Sequence, residues 1–270
     1  MTQILNKTAL ITGGCLGIGL LTGQLLLERG LGRLIVWDLH TADALSKLDP
    51  QGHYKDKIAV DAVDISQVDQ VTLLVEKYSR EGIVPDILIN NAGIVVGKYF
   101  VDHSVEDIRK TLDVNVFAHM LVTRLWLPEM MKKEKIHLVN VASAASYIGN
   151  RKMSVYAASK WAMHGWSDSL RLELASVSSD FKVSLINPFY IRTGMFEGVK
   201  SGWWLPILKP EKVARAIVRA IEHNQRVVRM PFLVRLTPAL RGLLPLPVFD
   251  SIAGLLGVYK TMDSFIGRDK

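Results

Sequence analysis

Thr8-Ala9-Leu10-Ile11-Thr12-Gly13-Gly14-Cys15-Leu16-Gly17-Ile18-Gly19 passes from a short strand-like run, 8–12, through a glycine-rich turn into a helical pattern over 17–30. Glycines permit a tight turn and let backbone N–H groups approach a pyrophosphate, which then sits at the positive end of the helix. The backbones of Gly13, Cys15, Leu16, Gly17, Ile18 and Gly19 are the candidates for that contact. The spacing is Gly-x-x-x-Gly-x-Gly rather than the commoner Gly-x-Gly-x-x-Gly, and a glycine cluster by itself also reads as a plain structural turn.

Asp38 adds context. It ends the second strand candidate, 19 residues after Gly19. There a carboxylate can accept hydrogen bonds from an adenosine ribose and would repel a 2′-phosphate. Leu39, His40, Thr41 and Cys15 offer no cation to compensate, so NAD is expected over NADP. The plainer reading of Asp38 is a loop cap.

Outward from this unit, short apolar runs alternate with longer helical patterns. Strand candidates are 8–12, 34–38, 57–61, 87–90, 137–141, 183–187 and 227–230; helical stretches lie near 17–30, 67–81, 105–131, 155–178 and 210–222. Such alternation implies right-handed βαβ crossovers and a parallel sheet. The nearly continuous apolar character of the strands fits burial on both faces. The expected fold is α/β: one doubly wound Rossmann domain with about seven parallel strands. Residues 1–199 form its binding and catalytic core, and 200–270 an apolar, basic extension that carries the seventh strand.

Composition sets the outer bounds. At 270 residues, 49% hydrophobic and 22% charged, the chain is globular rather than disordered. A single cysteine, Cys15, excludes an intramolecular disulfide and fits a reducing, cytoplasmic compartment. Neither a secretory leader nor an uninterrupted apolar span long enough for a membrane helix is visible. Of the net charge of +7, residues 201–270 supply +6, eleven Lys/Arg against five Asp/Glu. A basic, apolar tail points to an anionic membrane surface rather than to nucleic acid.

The second chemical signal is Ser143, Tyr156 and Lys160. Tyr156 and Lys160 are four apart on a helical pattern, so both side chains leave the same face. A free tyrosine has a pKa near 10 and is a poor base. A neighbouring ammonium and a positive nicotinamide ring would stabilise its phenolate. Tyr156 could then exchange a proton with an alcohol or ketone that Ser143 holds, while Lys160 binds the nicotinamide ribose. Hydride passes directly between substrate and cofactor, so no metal is required. Tyr and Lys at this spacing are a common accident, and Ser143 alone could be strand-end chemistry. The order of the whole set argues otherwise, with thirteen residues from Ser143 to Tyr156 and the glycine turn upstream. His103, His119 and His164 lack metal-ligand spacing and read as packing or surface residues. Asp102, Glu106 and Asp107 read as a solvated helix start capped by Ser104.

Taken together, TGGCLGIG at 12–19, Asp64, NNAG at 90–93, Asn115 in LDVNVFAH, Ser143 in VNVASAAS, YAASK at 156–160 and INP at 186–188 with Thr193 resemble the short-chain dehydrogenase/reductase superfamily over roughly residues 5–230. The resemblance implies that Asp64, with Ile65, lies beside the adenine. It implies that Asn90, Asn91, Ala92 and Gly93 shape the cofactor cleft, and that Pro188, Ile191 and Thr193 surround the nicotinamide. Asn115 would hold a water that links Lys160 to solvent. Phe189 departs from the family pattern, which has glycine there, and would narrow or reorient the nicotinamide end. The two helices around Phe117, Leu121, Leu125 and Trp161, Met163, Trp166 often form a dimer's four-helix bundle in the superfamily, so a homodimer or homotetramer is expected, with core packing the equal alternative.

Within the superfamily, VWD at 36–38, VASAAS at 141–146 and the terminal FDSIAGLLGVYKTMDSFIG are similar to the lipid-droplet 17β-hydroxysteroid and retinol dehydrogenase branch. That branch usually has an N-terminal hydrophobic anchor, which is not seen in this sequence. Met195 and Phe196, with Trp203 and Trp204, would line an apolar cleft or sit at a membrane interface. The apolar stretch 232–259 would lie in a lipid headgroup plane, complete a substrate tunnel, or simply pack on the domain. The expected activity is oxidation of a lipophilic alcohol, or reduction of its carbonyl, with NAD(H). The substrate would be a steroid, a retinoid or a long-chain lipid, and the tail would give peripheral membrane or lipid-droplet contact. Two alternatives stay open: a reductase of small polar carbonyls or 3-oxoacyl esters, and a nucleotide-binding interaction protein.

Overall fold

Strand β1 (Thr8–Thr12) pairs in parallel with β2 (Arg33–Asp38) on one side and β4 (Ile87–Asn90) on the other in the computed structural model, which describes residues 1–267. With β3 (Ile58–Ala62), β5 (Ile136–Val141), β6 (Phe181–Pro188) and β7 (Val227–Met230), the sheet order is β3-β2-β1-β4-β5-β6-β7, parallel throughout. The last three residues of the expected extension lie outside the described residues.

Side-chain alternation along each strand sends its apolar residues into two separate cores. Ala9, Ile11, Leu34, Val36, Ile87 and Ile89 face one core, with α1 (Gly17–Glu28), α2 (Ala44–Leu48) and α7 (Pro210–Glu222) packed over them. Leu10, Ile35, Trp37 and Leu88 face the other, beneath α3 (Val68–Arg80), α5 (Ala118–Met130) and α6 (Ser154–Val177). This is the doubly wound arrangement. The chain reverses direction across the sheet between β1 and β4, which opens a crevice at their C-terminal ends.

A polar ladder ties the second layer to the sheet centre. Asn90 Nδ2 donates to Thr123 Oγ1 (2.9 Å) and Asn140 Oδ1 (2.8 Å), and Asn140 Nδ2 donates to Ser167 Oγ (2.8 Å). All four residues are buried. Removing one partner would strand the others without water, so the ladder fixes β4, β5, α5 and α6 in one register.

The single helix expected over 105–131 is instead three pieces. It consists of α4 (Val105–Leu112), a π-helical turn at Asp113–Phe117, and α5. Ser104 caps α4 as expected, in a capping box with Asp107. The extension also holds more structure than the sequence reading gave it. Beyond β7 the apolar stretch forms α8 (Phe232–Leu243) and α9 (Leu246–Leu255).

Candidate active site

The glycine turn is held from three directions. The Gly13 N–H donates to the Trp37 carbonyl at 2.7 Å. The Thr12 hydroxyl accepts from the N–H groups of Asn91 (3.0 Å) and Ala92 (3.2 Å). Asn91 Nδ2 returns bonds to the carbonyls of Thr12 (3.0 Å) and Gly13 (2.8 Å). Gly13 has φ +67°, and a Cβ there would lie 2.8 Å from Ala92 Cα. Only glycine satisfies both conditions. At Gly17, φ is +57° and a Cβ would sit 3.3 Å from Thr193, so two turns that line the cleft meet without a side chain between them.

Helix α1 starts at Gly17 with no side-chain cap and no acidic residue in its first turn. Its first N–H groups therefore point into the crevice with their partial positive charge, an anion site in the making. Asp38 stands at the tip of β2, its carboxylate accepting from the N–H of Cys15 (2.9 Å) and of His40 (3.1 Å). Each oxygen keeps acceptor capacity for a diol. The Asp64 carboxylate is turned by Ser66, whose N–H and hydroxyl donate to it at 3.0 and 2.7 Å.

A cleft of about 470 Å3 crosses these strand tips. Asp38, Asp64 and Ile65 line it at the β2–β3 end, and Gly13, Leu16, Gly17 and Ile18 at the turn. Asn91, Ala92 and Gly93 follow, then Ser143, Tyr156 and Lys160, with Pro188, Ile191 and Thr193 opposite. Glycine cradle, uncapped helix and ribose-height carboxylate fit a dinucleotide. Four expected residues do not line it. Cys15 is buried, and burial together with the adjacent Asp38 pushes its thiol up to about 12; only its N–H acts, by holding Asp38. Gly19 is needed inside the turn, because a Cβ there would collide with the Gly13 carbonyl. Asn115 is fully buried behind the cleft. Asn90, expected at the cleft, lies beneath it in the polar ladder.

The position of Asn115 accounts for the π turn. Its amide accepts from the Ile94 N–H (2.8 Å) and donates to the Ile94 carbonyl (2.9 Å) and to Ser159 Oγ (3.1 Å). Ser159 in turn donates to the Tyr156 carbonyl at 2.7 Å. One widened helical turn thus aims a side chain at the strand-like loop after β4 and at the helix carrying Tyr156 and Lys160. A Cβ on Gly93 would lie 3.2 Å from Asn115 Oδ1 and 3.7 Å from Lys160 Nζ, which explains glycine there.

On α6, Tyr156 and Lys160 do share a face. The Tyr156 phenol is hydrogen-bonded to the Ser143 side chain, and Lys160 Nζ lies 5.6 Å from the phenol ring centroid while donating to the Val141 carbonyl at 3.1 Å. Burial dominates both groups. It raises the phenol well above its ordinary value, with the Ser143 hydrogen bond opposing, and it pulls the Lys160 ammonium down to about 8. Neighbouring His119, fully buried and close to the Lys160 charge, is pushed down to about 3 and stays neutral. No group of three or more His, Cys, Asp or Glu that could hold a metal ion occurs among the described residues.

Sequence reasoning missed several site residues. Phe189 does line the cleft, its ring 4.4 Å from that of Tyr190. Tyr190 itself, Met153, Asn150 and Val258 also line it and had not been singled out. Phe196 lies edge-on to Tyr156 at 6.0 Å. Of the expected interface residues, Met163 is wholly in the core, whereas Phe117 (46% exposed) and Trp161 (44%) reach solvent. Trp161 is partly engaged already, beneath the Arg241 guanidinium of α8 at 4.9 Å.

The family described as short chain dehydrogenase matches residues 7–202. The chain is similar to epidermal retinol dehydrogenase 2 of Mus musculus, 34% identical over 273 residues that cover 99% of this chain and 88% of that protein. Two solved structures share the fold. A short chain dehydrogenase from Burkholderia cenocepacia J2315 in complex with NADP has a TM-score of 0.77 at 23% identity, over 94% of this chain and 98% of that one. A short chain dehydrogenase/reductase from Burkholderia phymatum in complex with NAD has a TM-score of 0.77 at 22% identity, over 94% and 97%. Glycine cradle, Ser–Tyr–Lys cluster and family match converge, and the chain belongs to the short chain dehydrogenase family of NAD(P)-dependent oxidoreductases that act on CH–OH groups.

Proposed function

We propose that this protein interconverts a lipophilic alcohol and its aldehyde or ketone, with NAD(H) as the nucleotide. The observation that carries the reading is the apolar wall around the Ser143–Tyr156 pair. Met153, Phe189, Tyr190, Met195 and Phe196 stand where an alcohol's carbon skeleton would lie. A polar substrate gains little from such a wall. Retinol dehydrogenases among its relatives support the same class.

Asp38 would bind the adenosine ribose diol, the first turn of α1 the pyrophosphate, and Lys160 the nicotinamide ribose, with Asp64 and Ile65 beside the adenine. When bound, NAD supplies a hydride acceptor and a positive ring charge at the Tyr156 end of the cleft. Ser143 would donate to the substrate oxygen and hold it against the phenol. During oxidation Tyr156 takes the hydroxyl proton; during reduction it returns one. Since burial alone keeps the phenol protonated, Tyr156 becomes a competent base only when that positive charge joins the Lys160 ammonium. Asn115, through Ser159 and Ile94, would keep the α6 pair in place.

Residues 1–199 would supply this machinery and the extension would adapt it to its substrate. The outer face of α8 supports a role at a lipid surface. Phe232, Leu236 and Leu243 lie opposite buried Val234 and are solvent-exposed, Leu243 to 81%, and Trp203 stands exposed nearby on the loop that packs against Val234. No helix among the described residues is long and apolar enough to cross a membrane, so contact would be peripheral. Exposed Phe117 and Trp161 are the places to look for a homo-oligomer contact.

The test is NAD and NADP reduction across alcohols from short and polar to steroids, retinol and long-chain lipids, with Tyr156→Phe as control. NAD turnover confined to the bulky apolar members and lost with the phenol is the expected result. Turnover confined to small polar members would overturn the lipophilic reading, and preference for NADP would overturn the reading of Asp38.

A further inference from the structure

Residues 258–266 bridge the two banks of the cleft. On the bank that leads into α6, the Thr261 hydroxyl accepts from Asn150 Nδ2 at 2.6 Å and Arg151 binds the Asp263 carboxylate at 2.9 Å, while Tyr190, just after β6, pairs its hydroxyl with that of Thr261 at 3.0 Å. On the bank that follows β6, the Ile266 N–H donates to the Glu197 carbonyl at 2.9 Å, and the Lys200 N–H donates to the Thr261 carbonyl at 3.2 Å. Two glycines seat the segment. A Cβ on Gly97 would run into the Phe265 ring, and one on Gly198, at φ +80°, into the Ser264 carbonyl. Both seats are closed to any other residue without displacing the segment.

Tethers on both banks and two seats that exclude a Cβ fix this stretch relative to Tyr156. Met262 is fully buried and shares a packed cluster with Met153, Tyr156 and Tyr190. Val258 lines the cleft itself. Neither face of this strap is needed to complete the sheet, whose seventh strand ends at Met230.

We propose that the strap is the specificity wall of the alcohol site, with Val258 setting the depth available to the apolar end of the substrate. The proposal rests on the alcohol dehydrogenase reading given above and goes beyond it by naming what limits substrate size.

The experiment measures kcat/KM for a homologous series of primary alcohols with wild type, Val258→Ala and Val258→Trp. Val258→Ala is expected to raise the ratio of the longest to the shortest substrate by about tenfold, and Val258→Trp to lower it by about as much, with the shortest alcohol little changed. Gly97→Ala displaces the Phe265 seat without touching the cleft and is expected to move the ratio in the direction of Val258→Ala. A ratio common to all four proteins, or a loss uniform along the series, overturns the proposal. Should wild type oxidise no alcohol, the functional reading fails separately. The wall is then judged by titration calorimetry of the same alcohols with NAD present, and a common rank order of Kd overturns it.

Discussion

The turn after β1 and the strap after α9 both place chain close to a ligand cleft, and they do it by opposite means. The turn is held by its own backbone, by the tip of β2 and by the loop after β4. Gly13 and Gly17 adopt positive φ, Asn91 and Ala92 donate four hydrogen bonds to Thr12 and Gly13, and the N–H of Cys15 holds Asp38. The strap is held on one bank by side chains from residues over a hundred positions away, Asn150 and Arg151 to Thr261 and Asp263, with backbone bonds to Glu197 and Lys200 on the other. A backbone cradle binds what all substrates share, the nucleotide; a side-chain wall can be altered one residue at a time. Chemistry common to the family therefore belongs to the first region and discrimination to the second.

The sharpest way to break that division is Tyr156→Phe. Loss of the phenol proposed to exchange the proton with the substrate oxygen is expected to lower kcat about a thousandfold for every alcohol alike. The ring and its packing against Phe196 are kept, so the thermal midpoint of unfolding should stay close to wild type. A rate loss that differed between long and short alcohols would mean that discrimination reaches into the catalytic pair.

Lys160 offers a test without any substrate. Its ammonium is depressed to about 8 by burial, against an ordinary value of about 10.5. Between these values the unfolded chain binds more protons than the folded one, so the charged group costs stability below pH 8 and the cost fades as pH rises towards 10. The penalty is on the order of 3 kcal/mol. Lys160→Met is therefore expected to unfold at a higher denaturant concentration than wild type at pH 7, and to lose that advantage by pH 10. The comparison is made between the two proteins because Cys15, raised to about 12 from 9.0, works in the other direction above pH 9 in both. An advantage that stayed constant with pH would show that Lys160 holds its proton in the fold as tightly as in the unfolded chain, with no depression by burial.

Asp38 tests the nucleotide end. Asp38→Ser with Leu39→Arg removes a carboxylate from the ribose site and adds a cation, and is expected to shift the NADP-to-NAD preference by about thirtyfold, the equivalent of roughly 2 kcal/mol of charge interaction near the surface. Direct titration of each nucleotide reads it. No shift would place the adenosine ribose away from Asp38.

How much of this was legible follows the same line. Strands and their order of alternation with helices could be read because each signal is local: an apolar run such as 8–12, a glycine at positions 13 and 17 where the turn takes positive φ. Tyr156 and Lys160 were legible because a helix converts spacing into a shared face. The π turn at Asn115 was not, since 105–131 keeps an unbroken helical pattern and the widening is imposed by Ile94 and Ser159, distant in sequence. Asn90 was expected at the cleft because the resemblance carried over NNAG at 90–93 as one unit, yet Asn90 is the last residue of β4 and its side chain turns into the polar ladder. The tethers of Thr261 had no local signature at all. The depression of Lys160 depends on burial, which no spacing reveals.

The smallest expected effect concerns the outer face of α8, where the extension meets solvent rather than the cleft. Buried Val234 fixes which side of the helix faces the domain, and a turn of 100° per residue then puts Phe232, Leu236 and Leu243 together on the far side. Arg241 is turned inward, over Trp161 and to the Tyr147 carbonyl at 2.5 Å, so its charge does not interrupt that stripe. Burying one leucine is worth about 2 kcal/mol when complete, and shallow insertion recovers only part of it. Leu243→Glu is expected to weaken co-sedimentation with anionic vesicles by about tenfold, while kcat on a detergent-dispersed alcohol stays at the wild-type level, because no residue of the cleft is touched. Equal sedimentation of wild type and variant would assign the stripe to another chain instead of a lipid surface. A fall in kcat would join this face to the strap, and with it end the separation between the region that binds and the region that selects.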